Sequence, residues 1–208
     1  MTLNDSLFAE YKNAILKSNL PNKNEFISFF KLGIRLDSNS KYEGQLPIGS
    51  TKLGGIPDLP TNISWPFWNG IPQAFIAQIN LSEMPNVPGA SILPTNGFLY
   101  FFYDSENKSW GRDQSDKGCF FVHYYNGRIE NLKATEFPSD LPEDAKYKPL
   151  KLIPTVIPSI PEPDHPLLKK LKLTDANQDE YFGIFEIAFD QIGKLHNTHT
   201  LHIDLTNY

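Results

Sequence analysis

Gly97-Phe98-Leu99-Tyr100-Phe101-Phe102-Tyr103 holds no charge and no proline, and every residue after its glycine is aromatic or leucine. Such a run is too rich in bulky rings for a loop, and it reads as a β-strand buried on both faces. Asp104 ends it. Two more runs of the same kind stand on either side. Ala74 to Leu81 is apolar apart from Gln78 and Asn80, and Gly118 to Tyr125 carries Cys119 beside Phe120 and Phe121. The expected class is α+β, built on a mainly antiparallel sheet.

Downstream, Tyr125-Asn126-Gly127-Arg128 predicts a hairpin, because Asn-Gly suits the positive φ angles of a type I′ turn. Strands over 119–125 and 128–133 are then expected to pair. A proline-punctuated segment comes next, with Leu150 to Ile157 expected as an extended edge strand. From Asp175 to Ile192, Tyr181, Phe185 and Phe189 recur every four residues, predicting a helix closed by Gly193 at C′. Leu201, Ile203 and Leu205 alternate with polar residues and predict a short final strand over 200–206.

Upstream, residues 38–72 are crowded with Gly, Pro, Ser and Asn, which break both helices and central strands. An ordered, turn-rich loop is expected there. Before it, Leu7, Phe8, Tyr11, Ala14 and Ile15 predict an amphipathic helix over 5–18, followed by a shorter helix near 24–31 and extended chain at 34–37. This suggests one domain over 1–208: a helical entry (1–37), a loop and antiparallel sheet (38–135), and a proline-rich segment with helix and final strand (136–208).

Composition narrows the function. The chain has 208 residues, a formal charge of -5 and 13% aromatic residues, with a pI near 5.5. A net acidic chain without a basic cluster does not suit phosphate backbones, so no nucleic-acid partner is expected. Lys169, Lys170 and Lys172 read as a solvated helix face. Cys119 is the only cysteine, which excludes an internal disulfide and a thiolate metal cage. The first residues lack a basic, apolar leader, and no run reaches the roughly 18 apolar residues of a membrane span. A cytoplasmic protein with no membrane partner is expected.

Ser50-Thr51-Lys52-Leu53-Gly54-Gly55-Ile56-Pro57-Asp58-Leu59-Pro60, then Trp65-Pro66, then Phe75-Ile76-Ala77-Gln78-Ile79-Asn80-Leu81, then Gly97-Phe98-Leu99-Tyr100-Phe101-Phe102 resembles, in order and spacing, the YwqG-like family of bacterial proteins of unknown function. The likeness covers roughly residues 30 to 125. It implies a largely antiparallel fold with internal duplication. Of the family's second half, His196 to Leu201 resembles the opening, and the remainder to Tyr208 is short or diverged. Sheet edges left open by a shortened repeat would favour a homodimer. The resemblance brings no established activity.

Candidate binding residues gather around the Gly/Pro/Trp loop: Lys52, Gly54, Gly55, Trp65, Trp68, Gln78, Asn80, Asp104 and Arg112. Gly54-Gly55 could offer backbone amides to an anion, yet it lacks the P-loop and dinucleotide spacings and reads as a tight turn. Trp65 and Trp68 could line a pocket or plug the core. Gln78 and Asn80, in a buried strand, must find hydrogen-bond partners, and the loop can supply them. Asp104, Glu106, Asp113 and Asp116 lack EF-hand spacing, and His196, His199 and His202 sit where a strand would turn neighbours to opposite faces, so no metal is expected. Cys119 and His123 would lie about 13 Å apart on one strand face, too far for proton transfer. No cofactor motif is found. The expected function is a non-catalytic binding or protein-interaction module with a protein or small-molecule ligand. The alternatives are a hydrolase using Gln78, Asp104 and Arg112, and an immunity-like partner of another protein.

Overall fold

In the computed structural model, which describes residues 3–38, 46–85, 93–107, 109–194 and 200–203, helices α1 (Leu3–Lys17) and α2 (Lys23–Ser28) lead into strand β1 (Lys31–Ser38). The Gly/Pro-rich stretch is an ordered loop with four short strands, β2 (Lys52–Leu53), β3 (Asp58–Pro60), β4 (Phe67–Trp68) and β5 (Ile71–Pro72). The aromatic runs form β6 (Ala74–Asn80), β7 (Phe98–Tyr103) and β8 (Phe120–Tyr125). Then come β9 (Leu132–Ala134), β10 (Leu150–Ser159), α3 (Pro166–Lys170), α4 (Asp175–Lys194) and β11 (Thr200–Ile203). The class is α+β with a mainly antiparallel sheet, as the aromatic runs predict.

The described residues group into two compact units. One draws on 3–37, 85, 155–194 and 200–203, the other on 38, 46–84, 93–107 and 109–154. In the first, Tyr11 and Ile15 of α1 are buried with Phe26, Phe30, Tyr181 and Ile184. The Phe8 and Phe30 rings meet edge-on at 5.7 Å, and Phe26 lies 5.4 Å from Tyr181. The Tyr181 hydroxyl donates to the Pro161 carbonyl at 2.7 Å, so its polar end is satisfied. β11 pairs antiparallel with β1, from Ile34 opposite Ile203 to Asp37 opposite Thr200. In α3, Pro166 starts the helix behind a His165 cap and Leu168 is buried, while Lys169 and Lys170 are exposed.

The other unit holds the strand order β10-β2-β6-β7-β8. β6 and β7 pair from Ala74 opposite Tyr103 to Asn80 opposite Phe98, with a bulge between Phe75 and Ala77. β7 and β8 pair from Phe98 opposite Tyr125 to Tyr103 opposite Phe120. Phe75, Phe98, Tyr100 and Phe102 form the core with Leu59 and Leu132, and burying each such side chain contributes about 1.5–3 kcal/mol.

Four expectations change. β7 is buried on one face only: Phe98, Tyr100 and Phe102 point inward, while Leu99, Phe101 and Tyr103 are half-covered, as in a sheet packed on one side. The hairpin at Asn126-Gly127 does not form. Neither residue has a positive φ, and β9 pairs with β3, Leu132 opposite Pro60, which buries Leu132 in the core. β10 is not an edge strand: β2 and β1 flank it in the sheet order. Gly193 does not end α4, which runs through Lys194.

Candidate functional site

Strand β2 lies antiparallel to β6 with Lys52 opposite Gln78, so both side chains point to one face of the sheet. The Gly/Pro loop crosses that face, and a closed hydrogen-bond network ties it down. Gln78 Nε2 donates to Ser50 O and to Asp58 Oδ2, each at 3.0 Å, and Gln78 Oε1 accepts from Asp58 N at 2.9 Å. Lys52 Nζ donates to Asp58 Oδ2 and to Ile56 O, each at 2.8 Å. Gly49 N donates to the same carboxylate oxygen at 3.0 Å. Asn80 Nδ2 donates to Gly49 O at 3.0 Å, and Asn80 Oδ1 accepts from Ser82. Tyr100 hydroxyl donates to Asp58 O at 2.8 Å. Burial first, then the neighbouring Asp58 and Tyr125, push the Tyr100 phenol well above its ordinary value.

These groups are buried and satisfied by one another, so Lys52, Gln78 and Asn80 hold the loop rather than face a ligand. Gly54 and Gly55 play a similar part. Their amides donate to Ile76 O and Tyr147 O at 2.8 Å, and both have positive φ. They are a tight turn. Trp65 donates from Nε1 to Gln73 O at 2.9 Å and packs edge-on against Phe102 and Phe137, which makes it part of the core. Trp68 donates to Lys117 O at 3.0 Å.

A second cluster lies beyond the ends of β7 and β8. Asp104 accepts from Glu106 N, Asn107 N, Ser109 N and Ser109 Oγ, between 2.9 and 3.3 Å. Burial alone would raise its carboxyl, but these donors outweigh burial and hold it below the ordinary value. The Tyr103 hydroxyl donates to the Ser109 carbonyl. Asp104 and Tyr103 thus fasten the loop on both sides of Ser109, and its neighbour Trp110 stands 83% exposed. The Arg112 guanidinium carbon lies 5.1 Å from the Trp110 ring centre, a cation–π contact.

Under Trp110 is a recess of about 370 Å³ lined by Tyr103, Ser109, Trp110, Gly111, Cys119 and Phe120. That size is within the range of small-ligand sites. Cys119 is fully buried. Burial, with Asp116 and Asp104 nearby, raises its thiol, so it stays protonated and unreactive.

Of the predicted site residues, Lys52, Gln78 and Asn80 meet in the buried network, Asp104 and Arg112 contact the recess-wall residues Ser109 and Trp110 without lining the recess themselves, and Trp65 belongs to the core. Gln78, Asp104 and Arg112 each have separate partners and do not form one cluster. The loop carboxylates serve the backbone: Asp116 Oδ2 accepts from Gly111 N at 3.0 Å, within a capping box with Asp113. His196 and His199 lie outside the described residues. Among the described residues, no three His, Cys, Asp or Glu side chains converge as a metal site would require, and no helix is long and apolar enough to cross a membrane. Sequence reasoning passes over Asp58, Tyr100 and the recess walls Tyr103 and Phe120. An isolated tryptophan in a charged loop is the one local signal for the recess.

No curated protein matches the chain. A family model described as a domain of unknown function does match, over residues 51–202. That span holds β2 to β10, the recess and the Lys52, Asp58, Gln78, Asn80 and Tyr100 side chains of the buried network. Since it covers well over half of the sequence, the chain is a member of the DUF1963 family, a domain of unknown function.

Proposed function

We propose that this chain is a non-catalytic binding module, of YwqG-like type and cytoplasmic in a bacterium, that holds an apolar group of its ligand in the recess under Trp110. The supporting observation is the placement of Trp110. Its ring is exposed beside an apolar recess, and the loop that presents it is fastened by Asp104 and Tyr103. A large ring held rigidly in water loses little entropy when a ligand covers it. The reactive groups nearby are spoken for: the Asp104 carboxylate accepts four bonds, and the Cys119 thiol is kept neutral.

Titration with 1-anilinonaphthalene-8-sulfonate, an apolar aromatic anion, tests the reading. Saturable binding is expected for the wild type, with a loss of tenfold or more in affinity for Trp110→Ala and for Phe120→Ala. The circular dichroism spectrum should not change. Probe binding indifferent to both substitutions would remove the recess from consideration. Ester or amide hydrolysis that disappears in Asp104→Asn would favour a hydrolase instead.

A further inference from the structure

The structure points to a second use of the same unit: we infer that β8 is the pairing edge of a two-fold homodimer. Among the described residues β8 has one neighbouring strand, β7, and ends the sheet. Its sequence is Phe120-Phe121-Val122-His123-Tyr124-Tyr125, with no Lys, Arg, Asp, Glu or Pro, and no bulge interrupts its register with β7. Monomeric proteins blunt such edges with charges, prolines or bulges, because an open ladder recruits another strand. None of these devices is present in β8. Phe120, Val122 and Tyr124 are 61%, 50% and 39% exposed on the outer face. On the inner face, Phe121 and His123 stack in parallel with ring centres 6.0 Å apart, and they extend the core layer to the rim.

A second copy is the occupant that this edge suits. A two-fold axis normal to the sheet keeps each face continuous, so residues of equal parity must stand opposite one another. Centring the axis on Val122 sets Phe120 against the partner's Tyr124 and Phe121 against the partner's His123. It also sets Val122 against the partner's Val122 on the exposed outer face, an apolar self-contact. Centring on His123 would instead oppose two imidazoles. The apolar self-contact therefore selects the Val122 register. This inference does not depend on the recess holding a ligand.

Sedimentation equilibrium on the full chain tests it. The wild type should approach twice 23.6 kDa with rising concentration. Val122→Lys and Val122→Glu should each remain at one chain mass, because each sets like charges opposite one another, and their thermal melts should stay cooperative. An equimolar mixture of the two should recover the two-chain mass, which only a residue facing itself across the axis predicts. A wild type that stays at one chain mass at high concentration overturns the inference. So does a dimer indifferent to both substitutions, or a mixture that stays monomeric. Trp110→Ala should leave the mass unchanged, so failure of the recess and failure of the edge are read separately.

Discussion

Gln78 and Asp58 grip each other twice: the glutamine side-chain oxygen accepts from Asp58 N at 2.9 Å, and its nitrogen donates to Asp58 Oδ2 at 3.0 Å. This pair joins the central strand β6 to the Gly/Pro loop through both the backbone and the side chain of Asp58. Gln78→Met keeps the volume but leaves Asp58 N and Ser50 O without these partners inside the unit. A loss of about 2–4 kcal/mol in urea unfolding is expected, from roughly 1–3 kcal/mol per unsatisfied buried group. A loss below about 1 kcal/mol would mean that the loop is held elsewhere.

Lys52 and Asp58 are both nearly fully buried and 2.8 Å apart. Breaking one side of such a pair costs more than removing both, because a lone buried charge has no solvent to stabilise it. Lys52→Met should cost about 3–5 kcal/mol. Lys52→Met with Asp58→Asn should cost less than the sum of the two single changes. Chemical denaturation of all four proteins gives the coupling energy, and strict additivity would contradict the pairing.

Gly54 and Gly70 both have positive φ, at 58° and 81°, but their surroundings differ. A Cβ at Gly54 would stand 2.5 Å from the Lys148 carbonyl oxygen, whereas one at Gly70 would meet nothing within 4 Å. Gly70→Ala carries only the backbone cost, about 1 kcal/mol. Gly54→Ala should lose clearly more, since a backbone oxygen cannot step aside. Melting temperatures in the order wild type, Gly70→Ala, Gly54→Ala are expected.

Asp104 is held below its ordinary carboxyl value of 3.8. Between that value and the lower folded one, the unfolded chain carries more protons than the folded chain, so stability rises with pH across this window. The contribution is complete above 3.8 and is lost as pH falls through the folded value. Asp104→Asn should therefore destabilise at neutral pH, and the gap from wild type should narrow below pH 3.8. Thermal melts from pH 7 to pH 2.5 check the sign.

The Asn-Gly pair occurs at 69–70, 96–97 and 126–127, and only at 69–70 do both residues take the positive φ that the local rule requires. Asn69 and Gly70 both have positive φ and close a two-residue hairpin, Phe67 opposite Pro72 and Trp68 opposite Ile71. At Asn126-Gly127 the flanking residues have stronger claims on them. β8 is taken by β7, and Leu132 is drawn under β3 into the core. A dipeptide preference is outweighed when burial of one leucine contributes about 1.5–3 kcal/mol to a different pairing. The recess was equally hidden, because Tyr103 and Phe120 are distant in sequence and meet only through the β7–β8 register.

By itself the sequence determined the elements whose signals are local: the aromatic strands at β6, β7 and β8, the amphipathic helices α1 and α4, and the irregularity of the Gly/Pro loop. Periodicity, ring content and proline placement act within a few residues, so they survive without a partner. Tertiary structure alone decided the rest. It chose which strand β9 joins and which face of β7 is covered, and it turned Lys52, Gln78 and Asn80 inward as a lock rather than outward as a site. Those outcomes depend on burial and, for Gln78 and Asn80, on hydrogen-bond partners that lie 20 to 31 residues away.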